Sequence, residues 1–398
     1  MFTRLFISIL LISILVGCSD KASLKQAEIT KLSISSDGKY VISGYDNHYL
    51  LLWNIANHSY QVISRHANEN SPYFIKHTHY FIWQNKNNKV YVQNILSRVV
   101  KKFQLKYSVL DQVMTTDLKT YIAEDKDWKL YKNYGKNEQI IKHYGTGSSK
   151  ALNLTLSNNN QYLLTSGFAG VQVDKESITK SYNDEKIDHW DRFGGITLWN
   201  ISTGVPIKKF WGTDVESQTY ATLSPQDHYI VGGGVGGGTV LAAVHNNFRT
   251  ELAWLKNKPK DFKDPTGNNA MDTVESFKYI TQKSYLRFTQ YIPYAVLYEG
   301  TNKNSIKYLP LGQVPYPSVG YLSRDESIDT SPSTHILVTG QEVDDGINVY
   351  QYDPKTQTLY RVWTPIINKR SNMPPISKDV PTLPGVKFSD LTKVKQVG

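Results

Sequence analysis

The sequence predicts an all-β chain folded as a single β-propeller of about seven four-stranded blades, with eight as the alternative count, preceded by a signal peptide. Three observations predict it. Aromatic residues are abundant, with 27 Tyr, 13 Phe and 8 Trp among 398 residues, and aromatic side chains favour strands. Short alternating apolar runs recur throughout, and no stretch sustains a long helical period. A strand-turn-strand unit returns at about forty residues, the period of a propeller blade. The 26 Gly and 16 Pro punctuate the turns. At 40% hydrophobic and 20% charged residues the chain can bury a large core, which excludes wholesale disorder. Its single cysteine excludes an intrachain disulfide framework and a Cys-based zinc cage.

The elements follow in chain order. Residues 1–17 carry one positive charge, Arg4, then an apolar run from Leu5 to Val16, then Gly17 directly before Cys18. This is the three-part design of an export signal. The run of about twelve residues is shorter than the roughly twenty that cross a hydrocarbon core. Leu15-Val16-Gly17-Cys18 resembles the lipobox of bacterial lipoproteins. The resemblance implies cleavage between Gly17 and Cys18 and acylation of Cys18, whose palmitate-type chains then anchor the mature protein in a membrane. Ser19, in place of the Asp that retains such proteins in the inner membrane, implies the outer membrane with the propeller facing the periplasm. Residues 18–27 are then the lipidated Cys and a polar tether.

The first repeat is the clearest. Residues 29–55 read as a strand through Leu32 and Ile34, a turn at Ser36-Asp37-Gly38-Lys39, a strand from Tyr40, a turn at 44–47, and a strand ending Leu52-Trp53-Asn54. Gly38 supplies the positive φ that the tight turn needs. The hairpin returns at residues 151–167 and 220–231, and its third strand at 194–200, ending Leu198-Trp199-Asn200. Weaker copies begin near Thr115 and Ser331, and one more unit fits between residues 77 and 94. The steps stay near forty once a polar insertion of about 26 residues, 168–193, is set aside.

Ser36-Asp37-Gly38-Lys39 with Leu52-Trp53-Asn54, and Ser224-Pro225-Gln226-Asp227 with Leu198-Trp199-Asn200, make this region similar to a degenerate WD40-repeat (WD40/YVTN-like) propeller. The resemblance covers residues 28–363, with insertions near 168–193 and 245–275 and a Pro-rich tail at 364–398. Asp46 stands for the family's third-strand Asp, but the Gly-His dipeptide near each repeat start is absent. Trp53 and Trp199 occupy equivalent repeat positions, which assigns them to packing between blades.

Other candidate sites are weaker. The glycine run at 232–238 lacks the Lys-Ser/Thr and helix of a phosphate loop, and reads as a turn or a place of close backbone approach. His77 and His79 alternate as if on one strand face, without a third metal ligand. In the 168–193 insertion, Asp184, Glu185, Asp188, His189 and Trp190 form a candidate partner-binding loop. Their spacing does not match a calcium loop, so no metal is assigned. Residues 248–256 place Phe248, Leu252 and Leu255 on one face of an expected short helix. No catalytic constellation and no cofactor motif stands out.

The net charge of +10, from 45 Lys+Arg against 35 Asp+Glu, suits anionic partners. Export directs that charge toward lipid or polysaccharide rather than nucleic acid. The sequence therefore predicts a lipid-anchored envelope propeller that serves as a non-catalytic protein-protein interaction scaffold or assembly factor. The alternatives are a binding module for an anionic envelope polymer or lipid, and a propeller hydrolase or lyase whose site is assembled across blades around the channel.

Overall fold

The computed structural model describes residues 27–68, 72–96, 98–106, 108–125, 129–132, 139–143, 153–166, 195–211, 219–234, 239–246, 248–251, 274–289, 294–301, 306–312, 327–340, 346–367 and 378–397. They form seven sheets, each a blade of four consecutive antiparallel strands, one of which gains a fifth, parallel strand from the C-terminal segment. Blade I holds β1 (Ile29–Ile34), β2 (Tyr40–Tyr45), β3 (Leu50–Asn54) and β4 (Ser59–Ser64). Blade II holds β5 (Tyr73–Phe74), β6 (Tyr80–Gln84), β7 (Lys89–Asn94) and β8 (Val99–Gln104). Blade III holds β9 (Val109–Met114), β10 (Tyr121–Asp125), β11 (Lys129–Lys132) and β12 (Gln139–His143). Blade IV holds β13 (Asn153–Leu156), β14 (Tyr162–Ser166), β15 (Gly195–Asn200) and β16 (Pro206–Trp211). Blade V holds β17 (Thr219–Leu223), β18 (Tyr229–Gly234), β19 (Thr239–Ala243) and β20 (Arg249–Glu251). Blade VI holds β21 (Val274–Tyr279), β22 (Ser284–Thr289), β23 (Tyr294–Glu299) and β24 (Ile306–Pro310). Blade VII holds β25 (Ile328–Ser331), β26 (Ile336–Gly340), β27 (Ile347–Asp353) and β28 (Thr358–Trp363).

The core is divided rather than central. Successive residues of a strand point to opposite faces of its sheet, and in a ring of blades both faces are covered. Val41 therefore packs toward blade VII while its neighbour Ile42 packs toward blade II. Ile122 and Ala123 split in the same way between blades IV and II, as do Leu163 and Leu164 between blades III and V. The result is seven apolar clusters, one at each blade interface. Each blade thus depends on its neighbours for burial, which couples the ring.

Ring closure joins blades VII and I. Trp53 meets Trp363 edge-on at a centroid distance of 5.9 Å, and both are fully buried. The C-terminal segment then runs along the outside of this joint. It bridges Thr382 to Arg361 at the edge of β28, buries Leu391, accepts the Trp363 indole N–H at the carbonyl of Lys393, and ends as β29 (Lys395–Gln396), parallel to β4. The two outermost strands at the seam are thereby tied by one strap.

Two expectations need correction. Residues 249–251, expected at the start of a short helix, are strand β20, because the open edge of β19 presents backbone groups that pair with them and outweigh local helix propensity. His77 and His79 are not on a strand: they sit in the turn between β5 and β6, both exposed, with His77 at φ 56°. The sequence pattern does not mark blade VI, since its hairpin turns at Ile280–Ser284 with Ile280 in place of the usual opening Ser and its third strand lacks a Trp. Among the described residues no helix is long and apolar enough to cross a membrane.

Candidate functional site

The first strand of each blade lines the central channel, and the turn after it forms the rim. In blade I the Ser35 hydroxyl donates to Asp37 Oδ1 at 2.6 Å and accepts the Tyr40 amide at 3.0 Å. The same device recurs at Thr115, Ser157 and Ser224, whose hydroxyls accept the amides of Thr120, Tyr162 and Tyr229 at 3.0, 2.8 and 3.0 Å. Gly38 has two reasons to be glycine: its φ is +69°, and a Cβ would stand 2.3 Å from Thr334 Oγ1 of blade VII. Leu118, Asn160 and Asp227 hold the same left-handed position in blades III, IV and V.

These turns bond to each other. The His77 amide donates to Ser36 Oγ at 2.8 Å, and the Ser331 and Ser333 hydroxyls donate to the Ser36 carbonyl at 2.8 and 2.6 Å. Asp227 accepts the amides of Asn158 and Asn159 at 2.8 and 2.9 Å, joining blade V to blade IV, while Pro225 contributes its carbonyl to Asn158 Nδ2. Asn160 and Thr116 exchange two bonds between blades IV and III. The rim is a cross-braced platform.

Trp53 and Trp199 are buried and donate their indole N–H to Ser43 Oγ and Thr165 Oγ1 at 2.8 and 2.9 Å. Asp46 lies in the β2–β3 turn and accepts the Glu28 amide at 2.9 Å. The structure thus gathers Asp37, Gly38, Ser224, Pro225 and Asp227 at the rim and puts the two tryptophans inside blades. Gly17 and Cys18, and Asp184, Glu185, Asp188, His189 and Trp190, lie outside the described residues. Gly232 makes a close approach: a Cβ there would meet Ile196 Cδ1 at 2.3 Å.

Beneath the rim is a cavity of about 330 Å³. Two carboxylates and three lysines line it. Asp111 pairs with Lys31 from two blades away, and also accepts the Leu154 amide of the next blade at 2.7 Å. Asp329 accepts the Ile34 amide at 3.0 Å, the Ser33 hydroxyl at 3.2 Å and the Thr330 amide at 2.9 Å. Both carboxylates therefore brace neighbouring blades through main-chain amides. Lys76 is half-buried and donates to the Leu156 carbonyl. Burial holds its amine below the ordinary lysine range and nearby Lys278 pushes the same way, while Asp227 and Asp329 oppose them. The Tyr73 hydroxyl is buried and has no hydrogen-bond partner among the described residues. Burial, reinforced by Asp329 and Asp111, pushes this phenol far up, so it is a neutral donor. No group of three His, Cys, Asp or Glu able to hold a metal occurs among the described residues.

Sequence reasoning missed these channel residues because they are drawn from five different repeats. A signal exists only once the repeats are aligned. Lys31 and Asp111 each lie four residues before the opening Ser or Thr of their turn, and Lys278 and Asp329 each lie two residues before theirs, at Ile280 and Ser331.

No family model matches the chain, and no curated protein resembles it significantly in sequence. Solved structures do. The β-propeller domain of Cps50 (Swd1) from Myceliophteria thermophila superposes with a TM-score of 0.55 at 9% identity, covering 83% of this chain and 98% of that one. A chain in the crystal structure of the mitotic checkpoint complex gives a TM-score of 0.56 at 12% identity, covering 82% and 87%. This chain has a seven-bladed β-propeller fold. In two blades the third-strand Trp donates to a hydroxyl on the neighbouring second strand, at Trp53–Ser43 and Trp199–Thr165. In blade II, Trp83 uses Gln93 instead.

Proposed function

We propose that this propeller is a non-catalytic scaffold or assembly factor of the bacterial cell envelope, anchored through lipid on Cys18 in the outer membrane and presenting its loops and rim to protein partners in the periplasm. One observation supports the non-catalytic reading most directly: the two channel carboxylates, Asp111 and Asp329, are engaged by amides of adjacent blades and so serve to brace the ring. The cross-braced rim suits a platform, because rigid turns present side chains at little entropic cost on binding. The mitotic checkpoint complex is itself an assembly, which accords with a partner-binding role for such a fold. The contact loop in this reading includes Asp184, Glu185, Asp188, His189 and Trp190.

Two experiments test it. The protein is captured from detergent-solubilised membranes, with and without residues 168–193; loss of a specific partner set on deletion is expected, and unchanged recovery refutes the loop's role. Cys18→Ala is expected to leave an unlipidated precursor of higher mass, and normal processing of that variant refutes the anchor.

A further inference from the structure

The channel cavity is furnished for a ligand, independently of the scaffold reading. Its carboxylates are already answered: Asp111 by the Lys31 ammonium and the Leu154 amide, Asp329 by the Ile34 and Thr330 amides and the Ser33 hydroxyl. One of its cations, Lys76, is less well answered. The Lys76 ammonium has three protons to donate, and among the described residues its hydrogen-bond partner is a neutral carbonyl, that of Leu156. Lys278 lines the same cavity and raises the cost of charging Lys76. The buried Tyr73 hydroxyl, on the first strand of the same blade as Lys76, has a proton to donate and no acceptor among the described residues. Buried polar groups are normally satisfied, so a buried donor lining the same cavity as an ammonium whose hydrogen-bond partner is a neutral carbonyl marks a missing acceptor that carries negative charge. The space of about 330 Å³ admits a metabolite-sized solute.

We propose that the channel cavity binds a small oxyanion, its phosphate or carboxylate group held by the Lys76 ammonium and the Tyr73 hydroxyl, with Lys278 adding charge on the same wall. A water molecule could accept the Tyr73 proton but would not answer the charge of Lys76. An anion serves both.

The test is calorimetric titration of the purified mature chain with inorganic phosphate and, separately, citrate, in a low-salt chloride buffer. Saturable one-to-one binding of at least one of the two is expected. Tyr73→Phe keeps the ring and removes only the unpartnered hydroxyl, so the fold is retained while affinity drops roughly tenfold, the scale of a hydrogen bond to a charged group. Lys76→Met keeps the apolar stem and is expected to weaken binding at least as much. Lys119→Met, at an exposed lysine on the rim of blade III, is expected to leave affinity unchanged. No saturable binding of either anion, or equal affinity in all three variants and the parent, overturns the proposal. Should Lys76→Met fail to fold, crystals soaked in selenate decide the matter without it. An anomalous selenium peak within about 4 Å of Lys76 Nζ supports the site, and an empty cavity overturns it.

Discussion

The strap along the outside of the ring makes a quantitative prediction. Leu391 is wholly buried in a segment that is otherwise largely exposed, and its carbonyl accepts the Thr364 amide at 2.8 Å, just beyond the end of β28. Leu391→Ala removes three carbon atoms. At about 0.8 kcal/mol per buried methylene the transfer contribution is about 2.4 kcal/mol, and an unrelaxed cavity brings the total to about 3 kcal/mol, within the range for such truncations. The control is Phe388→Ala in the same segment, where the ring is 48% exposed and the expected cost is under about 1 kcal/mol. Equilibrium unfolding in guanidinium chloride, read by tryptophan fluorescence, reports both, because Trp363 donates to the Lys393 carbonyl in the strap and stacks on His58. A Leu391→Ala loss below about 1 kcal/mol, or no larger than that of Phe388→Ala, would refute the argument that the strap stabilises the VII–I seam.

Other consequences follow from the channel, the rim and the seam. Asp111→Ala leaves Lys31 and the Leu154 amide without this acceptor, so a loss of about 3–5 kcal/mol is expected, while Lys31→Met with Asp111→Leu should cost much less than the two single changes summed; additive losses in the double-mutant cycle would count against the pair. Gly38→Ala forces a side chain into a φ of +69° and onto Thr334, and is expected to lower the denaturation midpoint by an amount equivalent to more than about 1 kcal/mol. Burial holds His58 below the ordinary imidazole value of about 6.5, against an opposing pull from Asp390. The unfolded state therefore takes up the proton first as pH falls, so this stabilisation is complete above about pH 6.5 and is lost as pH drops through the lower folded value. Denaturation midpoints followed from pH 7.5 downward should show that slope, and His58→Asn, which suits the local φ of 47°, should flatten it.

Much of the ring was legible from the chain, for a local reason. Ser35, Asp37 and Gly38 bond to residues within five positions of themselves, so the turn they make is written in adjacent letters. Trp53 and Trp199 also find their hydroxyl partners inside their own blades. The strand at Arg249–Glu251 was not legible, because what makes it a strand is the edge of β19, supplied by other residues. Blade VI escaped notice because its turn and third strand lack the marker residues, yet it pairs as fully as the others. The candidate site was illegible altogether. Lys31 and Asp111 are eighty positions apart, and Ser33 and Asp329 nearly three hundred.

By itself the sequence determined the strand periodicity, the turn chemistry and the repeat of about forty residues that obliges each unit to bury its faces against another. Composition and the single cysteine restricted the remaining possibilities. Only the tertiary structure decided that seven units close the ring, that the C-terminal segment straps the seam, and that lysines, carboxylates and a lone tyrosine hydroxyl from separate blades meet in one cavity. The physical reason is that hydrogen bonds within a blade are set by neighbours in sequence. Contacts around the channel are set by how many blades complete a circle, and no single repeat encodes that number.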